Sequence, residues 1–270
     1  LRKFRKIALL ITVTSSVIFL FVFARNINNA QKFYFENLSI EVDDNKGLAF
    51  LEENDIKQLL INQELLTEGM QMSELDYEAM ETAIENLPEV KNSEVSATVD
   101  GRVEITTELR VPVMRVIHQN GMSNYIDENG EYMPVSRKYT ARVPVFTGNI
   151  TESSLRKSYK QITGDEILKE TLITDDLYEI AMYIRSDEFL SALIEQVDVD
   201  NNNELVLIPK IGDHKIVFGK VADVHRKFTK LKVFYREGLG RTDWNMFEEI
   251  NLKYQDQIVC TRKTLYHQVH

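Results

Sequence analysis

Cysteine is almost missing from this chain: Cys260 is the only one in 270 residues. A single thiol forms no intramolecular disulfide, so the body must be held by packing, and a disulfide scaffold is excluded. Five prolines and eleven glycines are also few. No low-complexity linker or repeat array occurs, and the chain reads as continuously folded. Chemical signatures are scarce as well. There is no Gly-x-Ser-x-Gly, P-loop or His-Glu-x-x-His. His267 and His270 lie three apart with no third ligand nearby, while His118, His214 and His225 are isolated. Asp198-Val199-Asp200-Asn201-Asn202-Asn203-Glu204 imitates a calcium loop, but Asn203 stands at the required glycine and Pro209 at the required glutamate. It reads as a solvated hairpin turn. Asp175-Asp176 reads as helix capping. No catalytic residue, metal site, cofactor or small-molecule substrate is expected.

Charge of one sign dominates the body. The net charge is −10, yet residues 1–25 carry five cations and no acids, which leaves −15 on the remainder. An acidic body has no bulk attraction for nucleic acid or an anionic membrane surface.

The first twenty-five residues do contain a long apolar run. Arg2, Lys3, Arg5 and Lys6 precede the uncharged stretch Ile7–Phe23, and Arg25 closes it. At 1.5 Å per residue this run spans about 25 Å, the short end of what crosses a bilayer. Bulky Phe21 and Phe23 stand where a cleavage site needs small residues. An uncleaved single-pass anchor is expected: 1–6 as cytoplasmic tip, 7–24 as transmembrane helix, 25–32 as spacer, and the body extracytoplasmic by the positive-inside rule. Ala8, Thr12 and Ser16 recur every four residues, a stripe that lets another membrane helix approach closely.

Beyond the spacer, Phe33–Val42 is strand-like. Glu52–Asn62 is expected to be helical, with Ile56, Leu59 and Leu60 on one face. A second helix over Leu75–Asn86, begun by Ser73 or Glu74, places Met80, Ala83, Ile84 and Leu87 inward, and Pro88 stops it. Val90–Val99 and Arg102–Leu109 alternate about Asp100-Gly101, a strong hairpin signal. Strand, helix, helix, strand, strand makes a three-stranded α+β unit over 33–110. A β-rich domain over 111–263 is expected next, with a loose tail 264–270. Its short strands Val113–His118, Met122–Ile126, Tyr132–Val135 and Val143–Gly148 read as an antiparallel meander. Residues 165–194 read as helical with a break near Thr174 or Ser186. Strands Val197–Val199, Leu205–Ile208 and Lys215–Phe218 precede a helix over Val221–Tyr235 with Val224, Phe228, Leu231 and Phe234 inward. Ile250–Tyr254 and Gln257–Thr261 form the last two strands about Gln255-Asp256. A strand arriving last often takes a sheet edge, where a partner's strand can add by main-chain hydrogen bonds.

The ordered set resembles the FtsQ/DivIB cell-division family. Leu87-Pro88-Glu89-Val90-Lys91-Asn92-Ser93-Glu94-Val95 resembles that family's Leu-Pro-x-Val-x-x-x-x-Val junction. Leu109-Arg110-Val111-Pro112-Val113 is similar to its Glu-Arg-x-Pro-Val boundary segment, and Tyr125-Ile126-Asp127-Glu128-Asn129-Gly130 to its aspartate-to-glycine hairpin. Phe228-Thr229-Lys230-Leu231-Lys232 and Ile250-Asn251-Leu252-Lys253-Tyr254 resemble its last helix and penultimate strand. There are departures: Leu109 replaces the usual acid, Asp100-Gly101 stands where Trp-Pro is common, and the tip is short. The stretch 165–194 and Tyr235-Arg236-Glu237-Gly238-Leu239 are similar to the Bacteroidetes branch.

The resemblance implies a POTRA domain followed by a β-domain, in a non-enzymatic divisome scaffold of the bacterial inner membrane. It implies a place at the division septum, FtsB and FtsL as partners, and a part in controlling septal peptidoglycan synthesis. It places FtsB on the last strand, which maps to Tyr254, Gln257, Ile258, Val259, Cys260 and Thr261, with Phe228 and Lys232 nearby. Val90–Val99 is implied as a second contact surface. Two other readings of the chain are a POTRA-bearing outer-membrane assembly or secretion component and a membrane-anchored cell-wall enzyme. Only one β-α-α-β-β pattern appears and no series of barrel strands follows, which disfavours the first.

Overall fold

The structure is a computed structural model that describes residues 13–21, 32–43, 47–150, 174–238 and 244–263. Residues 13–21 are helical and exposed, Ser16 among them. Among the described residues no helix is long and apolar enough to cross a membrane. The rest of the expected span, with Ala8 and Thr12, lies outside the described residues, as does the tail 264–270 with His267 and His270. The body divides into two compact units between Arg110 and Val111.

The first unit holds β1 (Leu38–Asp43), α1 (Glu53–Asn62), α2 (Tyr77–Glu85), β2 (Val90–Ala97) and β3 (Val103–Leu109). Its sheet runs β1-β3-β2, with β3 parallel to β1 and antiparallel to β2. The central strand alternates strictly: Val103, Ile105, Thr107 and Leu109 are buried and the residues between them exposed, as a period of two requires. Ile56 and Leu60 from α1 join Met80 and Ile84 from α2 over these strands, all without exposed surface. Burying each such side chain contributes about 1.5–3 kcal/mol. The one buried hydroxyl of β3 is satisfied, Thr107 Oγ1 lying 3.3 Å from Ser93 Oγ.

Several local expectations shift. The strand begins at Leu38 instead of Phe33. Phe33 is buried and tied to a loop: its amide donates to the Met70 carbonyl and its carbonyl accepts from Gly69, both at 2.8 Å. The second helix starts later than Leu75, because the N-cap is Asp76, whose carboxylate accepts from the Ala79 amide at 3.0 Å. Ser73 and Glu74 form a short 3₁₀ turn before it.

Among the described residues the second unit is built on a nine-stranded sheet. Its strands are β4 (Pro112–Ile117), β5 (Ser123–Asp127), β6 (Tyr132–Pro134), β7 (Val145–Gly148), β8 (Ile194–Val199), β9 (Leu205–Pro209), β10 (Lys215–Gly219), β11 (Phe247–Asn251) and β12 (Val259–Arg262), in the order β12-β11-β10-β9-β8-β7-β4-β5-β6. Helices α3 (Thr174–Ser186), α4 (Glu188–Leu193) and α5 (Val224–Val233) contribute Leu177, Ile180, Ala181, Ile184, Leu190, Leu193, Phe228 and Leu231 to its core. The expected meander is only partly present. β4, β5 and β6 are antiparallel, but β7 returns to lie parallel to both β4 and β8. Residues 165–173 of the expected helical stretch lie outside the described residues; the remainder breaks at Asp187, which caps α4 by accepting from Leu190 at 3.0 Å, and Ile194 opens a strand instead of extending the helix. The helix expected over 221–235 is α5, followed by a π-helical turn, Phe234–Gly238.

Candidate partner-binding edge

β12 is the terminal strand of the sheet and pairs with β11 alone among the described residues. Two bonds fix which of its backbone groups point where. The Lys263 amide donates to the Met246 carbonyl at 2.9 Å, and the Leu252 amide turns the other way, to Val217 of β10, at 2.9 Å. Backbone groups alternate along an antiparallel strand. With Asn251 opposite Val259 and Glu249 opposite Thr261, the amides of Val259 and Thr261 face β11. Those of Cys260 and Arg262 then face the open side, each with its carbonyl.

Side chains alternate too. Ile258 and Cys260 pack against the core, while Val259 and Thr261 stand exposed on the other face. Burial pushes the Cys260 thiol above its ordinary pKa, which keeps it protonated and a poor nucleophile.

The expected site residues do not all fall together. Tyr254, Gln257 and Ile258 are not in a strand: β11 ends at Asn251 and β12 begins at Val259, with a loop between. That loop is anchored from the helix. Lys230 of α5 donates to the carbonyls of Leu252 at 3.5 Å and Gln255 at 3.2 Å, and to that of Tyr254. Partial burial lowers the Lys230 pKa, the expected cost of holding an ammonium against main chain. The Tyr254 side chain is left 49% exposed at the mouth of the edge.

Two residues mapped by resemblance lie elsewhere. Phe228 is 0% exposed, with its ring stacked on Tyr183 at 4.9 Å and tilted against Phe218 at 5.0 Å. It shapes the core beneath the edge and presents no surface. Lys232 is paired with Asp187, the cap of α4, and its hydrogen bond holds the Asp187 carboxyl below the usual range. The cation that meets the last hairpin is Lys230, two residues earlier on α5.

Sequence patterning also missed Lys227. It is buried, donates to the Lys220 carbonyl at 2.7 Å and sits 4.6 Å from the Phe218 ring centroid. A lysine on an amphipathic helix ordinarily reads as solvated; its spacing, three from Val224 and four from Leu231, was the signal that placed it near the inner face.

The isolated histidines are structural neighbours of other polar groups. His118 meets Asn124 at 2.8 Å, His225 meets the Tyr183 hydroxyl at 2.9 Å, and buried His214 meets the Tyr235 hydroxyl. In the turn resembling a calcium loop, Asp200 Oδ1 accepts from the Asn202 and Glu204 amides at 2.7 and 2.8 Å. Among the described residues no group of three His, Cys, Asp or Glu could hold a metal ion.

Residues 111–261, over half the chain, match the family model described as FtsQ/DivIB, C-terminal related. The chain belongs to the FtsQ/DivIB family. Residues 36–108 match a POTRA-like domain, which agrees with the β-α-α-β-β order of the first unit. FtsQ/DivIB membership gives the protein a role in cell division. No curated protein matches the chain.

Proposed function

We propose that this protein is a non-enzymatic scaffold of the divisome, anchored in the cytoplasmic membrane by residues 7–24 with its body extracytoplasmic. It receives a strand of FtsB, together with FtsL, and helps control septal peptidoglycan synthesis. The observation that carries this reading is the terminal position of β12, with the backbone groups of Cys260 and Arg262 turned to its open side.

The mechanism is strand addition. Two outward residues offer two donors and two acceptors. At about 0.5–1.5 kcal/mol net for each bond, main-chain pairing supplies roughly 2–6 kcal/mol before the entropy of ordering the partner. Selectivity then comes from side chains on alternate positions: a partner residue beside Cys260 meets the core-facing side, and one beside Thr261 meets solvent. Tyr254, exposed at the strand's entrance, adds an aromatic contact. Lys230 holds this loop by its bonds to the Leu252, Tyr254 and Gln255 carbonyls.

Localisation tests the division role. A fluorescent fusion of the full chain should concentrate at the division site in dividing cells. An even distribution around the envelope, with the fusion intact, would oppose it.

A further inference from the structure

The sheet of the first unit also ends in β2, which among the described residues pairs with β3 on one side only. Edge strands present unpaired amides, and proteins commonly blunt them to prevent unwanted pairing. Here two of those amides are already occupied. The Ser93 amide donates to Glu85 Oε1 at 3.2 Å, and the Val95 amide donates to Glu81 Oε1 at 2.8 Å.

Both carboxylates come from α2, which packs against β2. The fit is geometric. Residues four apart on an α-helix are separated by about 6.0 Å along its axis, and two amides on the same side of a strand by about 6.8 Å. Glu81 and Glu85 therefore match Val95 and Ser93 one for one, with helix and strand running in opposite senses. A carboxylate accepting a backbone N–H is among the stronger hydrogen bonds. One turn earlier, α2 presents Tyr77, and after Glu85 the helix ends. The match covers these two amides.

We infer that Glu81 and Glu85 act as a surrogate strand that closes the β2 edge of the POTRA-like unit to strand partners, and that the partner they exclude is a second copy of this chain. β2 is the longest strand of its unit at eight residues, and no proline interrupts it. It is also self-complementary. Antiparallel pairing centred on Ser93 sets outward amide opposite outward amide there, places Asn92 opposite Glu94 and opposes no like charges, up to the irregularity in the β2 register between Val90 and Asn92. The second contact surface implied around Val90–Val99 is therefore restricted to its side chains while both glutamates are in place.

The test uses the full chain in detergent, as wild type, Glu81→Ala/Glu85→Ala and Glu81→Gln/Glu85→Gln, with far-UV circular dichroism confirming the fold. Residue-resolved hydrogen exchange, at a concentration where the alanine variant sediments as a monomer, should show the Ser93 and Val95 amides at least about tenfold slower in wild type than in that variant. The glutamine variant, which keeps an Oε1 acceptor, should retain most of that protection. Sedimentation velocity should show concentration-dependent self-association of the alanine variant alone. Equal exchange in wild type and alanine variant overturns the closure. A folded alanine variant that loses protection yet sediments as wild type does overturns the second copy as the excluded partner. If the double alanine variant does not fold, Glu85→Ala alone, read at Ser93, decides the closure in the same way, and its sedimentation decides the excluded partner.

Discussion

The ammonium of Lys230 donates to the carbonyl of Tyr254, joining α5 to the loop that delivers β12. The Leu252 and Gln255 carbonyls share the same ammonium. Removing it leaves three carbonyls to find donors in water. Lys230→Met, which keeps the stem and loses the donors, should cost about 1–2 kcal/mol in urea unfolding. It should also speed amide exchange across residues 252–258. Unchanged stability and exchange would show that the clamp is not an energetic contact.

Gly148 closes β7 against β8, opposite Val199. Its φ is +95°, and a Cβ there would lie 2.1 Å from the Val199 carbonyl oxygen. Both the conformation and the overlap fall on main chain, which cannot swing aside as a flexible side chain does. Gly148→Ala should destabilise the protein by roughly 2–4 kcal/mol. Thermal unfolding close to that of wild type would mean that the two strands separate easily.

Asp187 does two things at once, capping α4 and pairing with Lys232. Its folded pKa is held below the ordinary value, chiefly by the Lys232 hydrogen bond. A depressed carboxylate stabilises above the unfolded pKa of about 3.9, and that contribution fades as pH falls through the folded value. Asp187→Ala should cost about 1 kcal/mol at neutral pH. The gap from wild type should narrow below about pH 4, as denaturant titrations at several pH values would show. A gap independent of pH would assign the loss to packing alone.

His214 is 2% exposed, and its pKa is lowered chiefly by burial. The unfolded chain then binds a proton more readily than the folded one. Stability contributed by the neutral ring is present above about pH 6.5 and is lost as pH falls from there toward the folded pKa. His214→Gln should flatten this part of the stability curve. An identical pH slope for variant and wild type would place the titration on another group.

Much of this fold was legible because its signals are local. The strict alternation of Val103–Leu109, the stripe of Met80, Ala83 and Ile84, and the Asp-Gly turn each declare an element and its buried face within a few residues. The parallel pairing of β7 was not legible. Nothing in Val145–Gly148 encodes whether its neighbour is β6, nearby in sequence, or β8, nearly fifty residues on. The end of the chain was half legible. Gln255-Asp256 marks a turn, but the loop extends from Leu252 to Ile258 because Lys230 satisfies carbonyls that a two-residue hairpin would have paired. Helical spacing already turned Phe228 inward, and the structure sides with spacing: its side chain is buried and reaches no surface.

Proline scanning of β12 tests the partner edge most directly. A proline removes one amide, and here the phase of the strand separates two consequences. Cys260→Pro removes an amide from the open side and leaves the bonds to β11 in place. Thr261→Pro removes one directed at β11. The measurement is the affinity of the full chain for the extracytoplasmic part of FtsB, with circular dichroism and thermal unfolding recorded for each variant. The expected result is binding by wild type, loss of at least about tenfold in affinity for Cys260→Pro with little loss of stability, and clear destabilisation for Thr261→Pro. Wild-type affinity in a folded Cys260→Pro protein would contradict strand addition at β12.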